Sequence, residues 1–526
     1  ELDSGSRALL VNRLKDFDQV VVSLHNMSNS ASKDFGLTDS DRSLLALLNQ
    51  RTNVVLVVFG NPYSLRYFDK FETVLLAYQE EEDYQDLAAQ AIFGANPIRG
   101  KLPVTATSKS RYLEGETRAG NLRMGYGTGE ELGLNTSRLK QIDTLVRDAI
   151  SQKATPGAVV LIAKDGKILF EKAYGHHTYA KKRKTQTSDI FDLASITKVL
   201  SGTMAIMKLE EEGLIDLDAP LWKALPMAKG TNKENLILRD IMAHRAGLKS
   251  WIKFYEQTIS EKAIPKDQFY KNRKSEPYSV PVTERLFLNE SFIDSMNAQI
   301  LQSELRLNQD YKYSDLGFYL IADIVKAQTG RSIDQYVKKN FFDPMDLGNI
   351  TYNPWMEVSR DQIPPTEVDK YFRRQTVWGY VHDMGAAMLG GVSGHAGLFA
   401  DARDVASMMQ MVLNEGQYNG QQILQPETIK TFTQRHPSCT RRAIGFDMKE
   451  LDGDRSQNVC EETSSDTFGH LGFTGTAVWV DREHDLIYVF LSNRTYPSMH
   501  NFKLNKKDYR PRIQSIIYQA MGVEPS

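Results

Sequence analysis

The feature that most restricts the fold is where strand-like sequence falls between residues 135 and 526. After Pro156-Gly157, two β-branched runs, Ala158 to Ala163 and Lys167 to Ala173, are joined by Lys164-Asp165-Gly166. An Asp-Gly turn between such runs predicts a hairpin. Two more runs, Thr476 to Asp481 and Leu486 to Leu491, come only at the far end, before a helical pattern from about Lys506 to Met521. The sequence between is mostly helical, with polar loops between Lys253 and Asp310. Strands at both ends with helices between predict an α+β domain, one antiparallel sheet made by the ends of the region and flanked by helices. A helix capped by Asn135 or Ser137 and running to about Gln152 leads into it.

Residues 1–112 read differently. Val20 to Leu24 and Val54 to Phe59 are short β-branched runs of the kind found in parallel sheets covered on both faces. A leucine stripe from Asp39 to Gln50 predicts a helix between them, and a strand from Thr73 to Tyr78 and a helix from about Tyr84 to Phe93 follow. This order predicts a small doubly wound α/β domain. Residues 113–134 are read as a linker, with six glycines between Glu114 and Gly133. A chain of 526 residues is long enough for these two domains. Its net charge of −2, with no basic run interleaved with aromatics, gives no reason to expect nucleic acid as a partner. The longest apolar stretch, Val54 to Phe59, is far short of the ~20 residues of a membrane span. Cys439 and Cys460 are too few for a disulfide framework, and one bridge and two thiols stay equally open. The chain begins Glu-Leu-Asp-Ser, as a processed or excised piece would, so its export signal is not legible.

Ser195-Ile196-Thr197-Lys198 fits Ser-x-x-Lys. Three residues apart on a helix, the two side chains share a face, with Cβ atoms ~5–6 Å apart. A buried lysine that sheds its proton serves as base toward the serine. The same pattern occurs at Ser30-Lys33, Ser137-Lys140 and Ser250-Lys253, among charged neighbours. Ser195 differs because Phe191 to Ala194 before it and Val199, Leu200 and Met204 after it make an apolar frame around the lysine.

Phe191-Asp192-Leu193-Ala194-Ser195-Ile196-Thr197-Lys198 resembles the active-site helix of class C β-lactamases, related esterases and low-molecular-weight penicillin-binding proteins. The resemblance covers about residues 135–522 and implies two further motifs in order. Tyr313-Ser314-Asp315 is similar to the Tyr-x-Asn element, and His470-Leu471-Gly472 to the Lys-Thr-Gly or His-x-Gly strand. Ala243 to Leu248 resembles the family's His-x-x-Gly-Leu turn, read as structural, and Gly390 to Phe399 a glycine-rich segment at the pocket edge. His382, Asp383 and His395 lack a metal-ligand spacing and are read as pocket wall. The resemblance implies two-step acyl transfer on an amide or ester. Ser195 is the nucleophile, Lys198 and Tyr313 share its proton, and Tyr313 protonates the leaving group. His470 orients the tyrosine or a substrate carboxylate. The backbone N–H groups of Ser195 and Phe473, beside Gly472, form the oxyanion hole. No metal or organic cofactor is implied.

Two departures from the family pattern matter. Asp315 stands where lactamases carry an asparagine that donates to substrate, and a carboxylate donates only when protonated. His470 replaces a permanently charged lysine. Both move the expectation from antibiotic hydrolysis toward an esterase, amidase or peptidase; a muropeptide amidase is expected, with esterase, D-alanyl-D-alanine carboxypeptidase or β-lactamase activity as alternatives. Residues 1–112, through Val55 to Tyr63, Ala91 to Gly94 and Gly100 to Val104, look like the C-terminal α/β domain of family 3 glycoside hydrolases, non-catalytic without its barrel. That pairing implies a parent with an upstream glucosaminidase domain, a muropeptide substrate and a periplasmic or otherwise exported protein. A penicillin-binding sensor or scaffold that acylates without turnover is the alternative of another class.

Overall fold

The computed structural model describes residues 3–524, which form two compact units, one ending at Gly125 and one beginning at Tyr126. In the first, β1 (Gln19–Leu24), β2 (Asn53–Val58) and β3 (Thr73–Leu76) lie parallel and in that order. Val54, Leu56 and Val58 face one side, packed with Val11 of α1 (Ser4–Leu14) and Leu45 and Leu48 of α2 (Asp39–Asn49). Val57 and Phe59 face the other side, with Ala88 and Ile92 of α3 (Glu82–Ile92). The unbroken apolar run of β2 follows from this burial on both faces. Thr38 and Asp41 start α2 with a reciprocal capping box. The helix α1, which the sequence reading passed over, is capped by Asp3 through the Ser6 N–H at 2.7 Å.

The second unit is built on an antiparallel sheet that joins its two ends. Six of its seven strands are, in chain order, β4 (Gly157–Lys164), β5 (Lys167–Gly175), β6 (Asp447–Met448), β7 (Phe468–Leu471), β8 (Ala477–Asp481) and β9 (Leu486–Ser492). Their spatial order is β6-β7-β8-β9-β4-β5. Asp165 and Gly166 both take positive φ, 51° and 74°, as the tight β4–β5 turn requires. One face of the sheet (Val160, Ile162, Trp479, Phe490) packs against Leu139, Ile142 and Val146 of α4 (Thr136–Ser151) and Ile513 and Ile517 of the helix Tyr509–Ala520. The helix Ala402–Leu413 packs on β4 and β9. Everything between β5 and β6 is one long excursion from the sheet, and it carries Ser195, Lys198 and Tyr313. Among the described residues no helix is long and apolar enough to cross a membrane. Cys439 and Cys460 are free and buried.

Candidate active site

The serine is presented by a bend that other segments hold in place. Asp192 is buried and spends both carboxylate oxygens on backbone, accepting from Ala194 N–H at 2.8 Å and His382 N–H at 2.6 Å. The Asp192 and Leu193 carbonyls accept from the hydroxyls of Thr474 (2.7 Å) and Thr476 (3.0 Å). Ala194 takes a left-handed φ of 48°, a strain on the order of 1 kcal/mol in a non-glycine residue. The chain then enters one tight turn, Ala194–Ile196, followed by a wide π-type turn, Lys198–Thr203. The sequence reading expected a regular helix here. The strained bend and widened turn still leave Ser195 and Lys198 in contact.

Lys198 is fully buried and donates to Ser195 Oγ at 2.8 Å and to the His395 carbonyl at 3.1 Å. Its third partner is Asp315, at 2.7 Å. Burial alone would drive the amine toward neutrality, but the Asp315 carboxylate and the Tyr313 oxygen outweigh it and lift the Lys198 pKa above its ordinary value. The expectation of a resting neutral lysine is therefore corrected: the acid at position 315 holds it as an ammonium.

Tyr313 donates from its hydroxyl to Ser195 Oγ at 2.9 Å. Burial raises its pKa, so the phenol is protonated. The turn that delivers it is pinned by Ser314, whose hydroxyl donates to the Lys249 carbonyl at 2.6 Å and accepts from Leu316 N–H at 3.2 Å, opening the helix Leu316–Thr329. Asp315 N–H donates to the Ser250 carbonyl at 2.8 Å.

His470 is 4% exposed, with its ring centroid 6.0 Å from that of Tyr313. Its Nδ1 donates to the Leu471 carbonyl at 2.7 Å, which leaves Nε2 a buried acceptor with no partner among the described residues. Burial, helped by nearby Arg442, pushes its pKa down to about 3. This imidazole is neutral and can only accept at its free nitrogen, so of the two roles expected for it, orienting the tyrosine or a substrate carboxylate, an ion pair with the carboxylate is not on offer in the resting site. Gly472 lets β7 and its turn approach the serine loop, since a Cβ there would lie 2.4 Å from the Leu193 carbonyl oxygen. Phe473 is 44% exposed, and Arg494 lies 4.6 Å over its ring. Among the described residues no turn or loop hydrogen bond uses the N–H of Phe473.

Two contributors escaped the sequence reading. His244, taken as a structural turn residue, has a positive φ of 58° and lies against Tyr313 with ring centroids 4.5 Å apart. Its Nδ1 accepts from Ser314 N–H at 3.3 Å, so it braces the tyrosine's turn. His395, whose carbonyl accepts from Lys198, is fixed by Asp383 (2.8 Å), by Ser393 (2.7 Å) and by stacking on Tyr319 at 3.9 Å. Ser393 is fully buried, so this Ser-His-Asp array is a brace for the lysine's partner and offers no nucleophile. A backbone carbonyl leaves no mark in sequence, and a left-handed histidine leaves little.

An antiparallel sheet closed by the chain ends, a helical excursion and a serine hydroxyl held between a buried ammonium and a phenol define a serine hydrolase. The sequence profile of the beta-lactamase family matches residues 142–508, and the chain belongs to that family. A protein from Salmonella schwarzengrund, provisionally named a D-alanyl-D-alanine carboxypeptidase, is 29% identical over 406 residues, which is 72% of this chain and 87% of its own. Among solved structures, EstCE1, described as a hydrolase with promiscuous acyltransferase activity, aligns with a TM-score of 0.53 at 18% identity. The match covers 73% of this chain and 99% of EstCE1. A penicillin-binding protein homolog from Caulobacter crescentus aligns at 0.50 with 16% identity over 68% of this chain and 91% of its own. At such identities these two structures speak for the fold alone.

Proposed function

We propose that this chain is an amidase acting on muropeptides, with Ser195 as the acyl-accepting nucleophile. The observation that carries the reading is the shared position of Ser195 Oγ, which accepts from Lys198 and Tyr313 while Lys198 is paired to Asp315. Lys198 passes a proton to Asp315, its amine takes the proton of Ser195, and the serine oxygen attacks the amide carbonyl. The tetrahedral oxyanion lies between the N–H groups of Ser195 and Phe473; losing one such donor typically costs about 10²–10³ in rate. Tyr313 gives its proton to the leaving nitrogen and is recharged through Lys198 from Asp315. The amine departs carrying the proton from Tyr313, the proton that began on the serine stays within the Lys198–Tyr313 relay, and water then hydrolyses the ester. Asp315 is thus the proton store of the site, and no metal or organic cofactor enters the scheme.

The substrate class rests on three supports. His470 is neutral, so the anchor that a C-terminal carboxylate would want is lacking at that position. The first unit's α/β architecture fits the family 3 glycoside hydrolase C-terminal domain that its sequence resembles, which pairs this hydrolase with a cell-wall glucosaminidase in a longer, exported parent. The class C-like amidase branch is the assignment the Tyr-Ser-Asp and Gly-His-Ala-Gly motifs favour. The curated relatives' name supports a second reading, removal of a terminal D-alanine. Incubation with a muropeptide mixture, read by mass spectrometry, separates them. The amidase releases the intact peptide from its muramic acid. Loss of a single alanine with the lactyl amide intact would establish the carboxypeptidase instead.

The role of Asp315 has its own test, the pH profile of kcat/KM for Asp315→Asn. In the wild type Asp315 takes the proton that Lys198 gives up. In the variant the amide cannot hold one, so activity requires Lys198 to lose its own, and the acid limb moves to higher pH by more than about one unit. An unmoved acid limb would make Asp315 a substrate contact only.

A further inference from the structure

A second site lies along β5 of the sheet, away from the serine. Lys172, Tyr174 and His176 alternate along β5 and its continuation and share one face of the strand. The bridge between His176 and Lys184, with Thr185 N–H donating to the Gly175 carbonyl at 3.2 Å, folds the next segment back beside them. Arg147, exposed on α4, closes the groove, whose volume is about 280 Å³. The run Lys181-Lys182-Arg183-Lys184 borders it, so positive charge is concentrated here in a chain whose net charge is −2.

The compensating acid is already occupied. Asp143 accepts from Lys172 at 2.6 Å and from the Tyr174 hydroxyl at 2.6 Å. Among the described residues Arg147 and Lys184 make no ion pair. Thr185, which lines the groove, is 6% exposed, and its hydroxyl oxygen is buried without a hydrogen-bond partner. Burial, with Lys181 and Lys184 close by, lowers the His176 pKa.

We propose that this groove binds a phosphate-type oxyanion, with Arg147 and Lys184 supplying the charge. Arginine's planar fork beside lysine point charges suits a tetrahedral anion with oxygens in several directions. The anion belongs either to a free phosphate compound or to a lipid headgroup. Calorimetric titration of the full chain with inorganic phosphate, and sedimentation with phosphatidylglycerol against phosphatidylcholine vesicles, distinguish the two. Saturable phosphate binding supports a soluble ligand, and retention on phosphatidylglycerol alone supports the headgroup. In either case the double variant R147S/K184S should bind at least tenfold more weakly while its muropeptide turnover is unchanged. Absence of binding in both arms, or binding undiminished in the double variant, would overturn the proposal.

Discussion

Ser195→Ala should lower kcat on a muropeptide amide by about 10⁵-fold or more, the scale on which loss of a covalent nucleophile acts. The remaining polar groups cannot substitute. Ser393, which sits in a hydrogen-bonded array with a histidine and a carboxylate, is fully buried and cannot meet a substrate carbonyl. The substitution removes one oxygen at a half-buried position and leaves the Lys198–Asp315 pair in place, so the fold is preserved and substrate binding is little changed. The loss therefore appears in kcat and in kcat/KM together, as for an interaction made only along the reaction path.

Lys198→Met should lower kcat/KM by about 10³-fold or more, at the upper part of the range for a group that moves a proton in the transition state. Methionine fills the same apolar shaft but carries no proton between Asp315 and Ser195. The variant should also lose some stability. Removing one partner of a buried pair leaves Asp315 without its ammonium and the His395 carbonyl without its donor, and such a loss is destabilising, less so here because the Asp315 side chain is 27% exposed and reaches water. The melting temperature of Lys198→Met should therefore fall, and an assay well below it, on the folded variant, separates a catalytic loss from an unfolded protein.

The fold was legible wherever local chemistry and burial agreed. The Asp165-Gly166 turn fixes a hairpin by its positive φ values, and the apolar run of β2 records burial on two faces. The apolar frame of Ser195 singled it out from three other Ser-x-x-Lys matches, because a lysine sealed in that frame demands partners. What stayed hidden depends on contacts between distant segments. The bend at Ala194 is held by Asp192 and by threonines some 280 residues away, at 474 and 476. Nothing in Tyr-Ser-Asp announces that its acid faces Lys198 rather than the substrate. The charge state of His470 follows from burial beside Arg442, and one of the lysine's three partners is a carbonyl that any residue at 395 would supply. The charge of the outer groove escaped for a similar reason, since Arg147, Lys172 and Lys184 meet only once α4 and β5 pack together.

The central claim is that Ser195, Lys198 and Tyr313 form one acyl-transfer site, and intact-mass spectrometry tests it most directly. A slowly hydrolysed acylating agent, such as a fluorescent penicillin, is mixed with wild type, Ser195→Ala and Lys198→Met, and the modified peptide is located by digestion. The account predicts a single adduct on the peptide bearing Ser195 in the wild type, none in Ser195→Ala, and formation slowed about 10³-fold in Lys198→Met. An adduct on any other residue, or labelling that persists at the wild-type rate in Ser195→Ala, would contradict it.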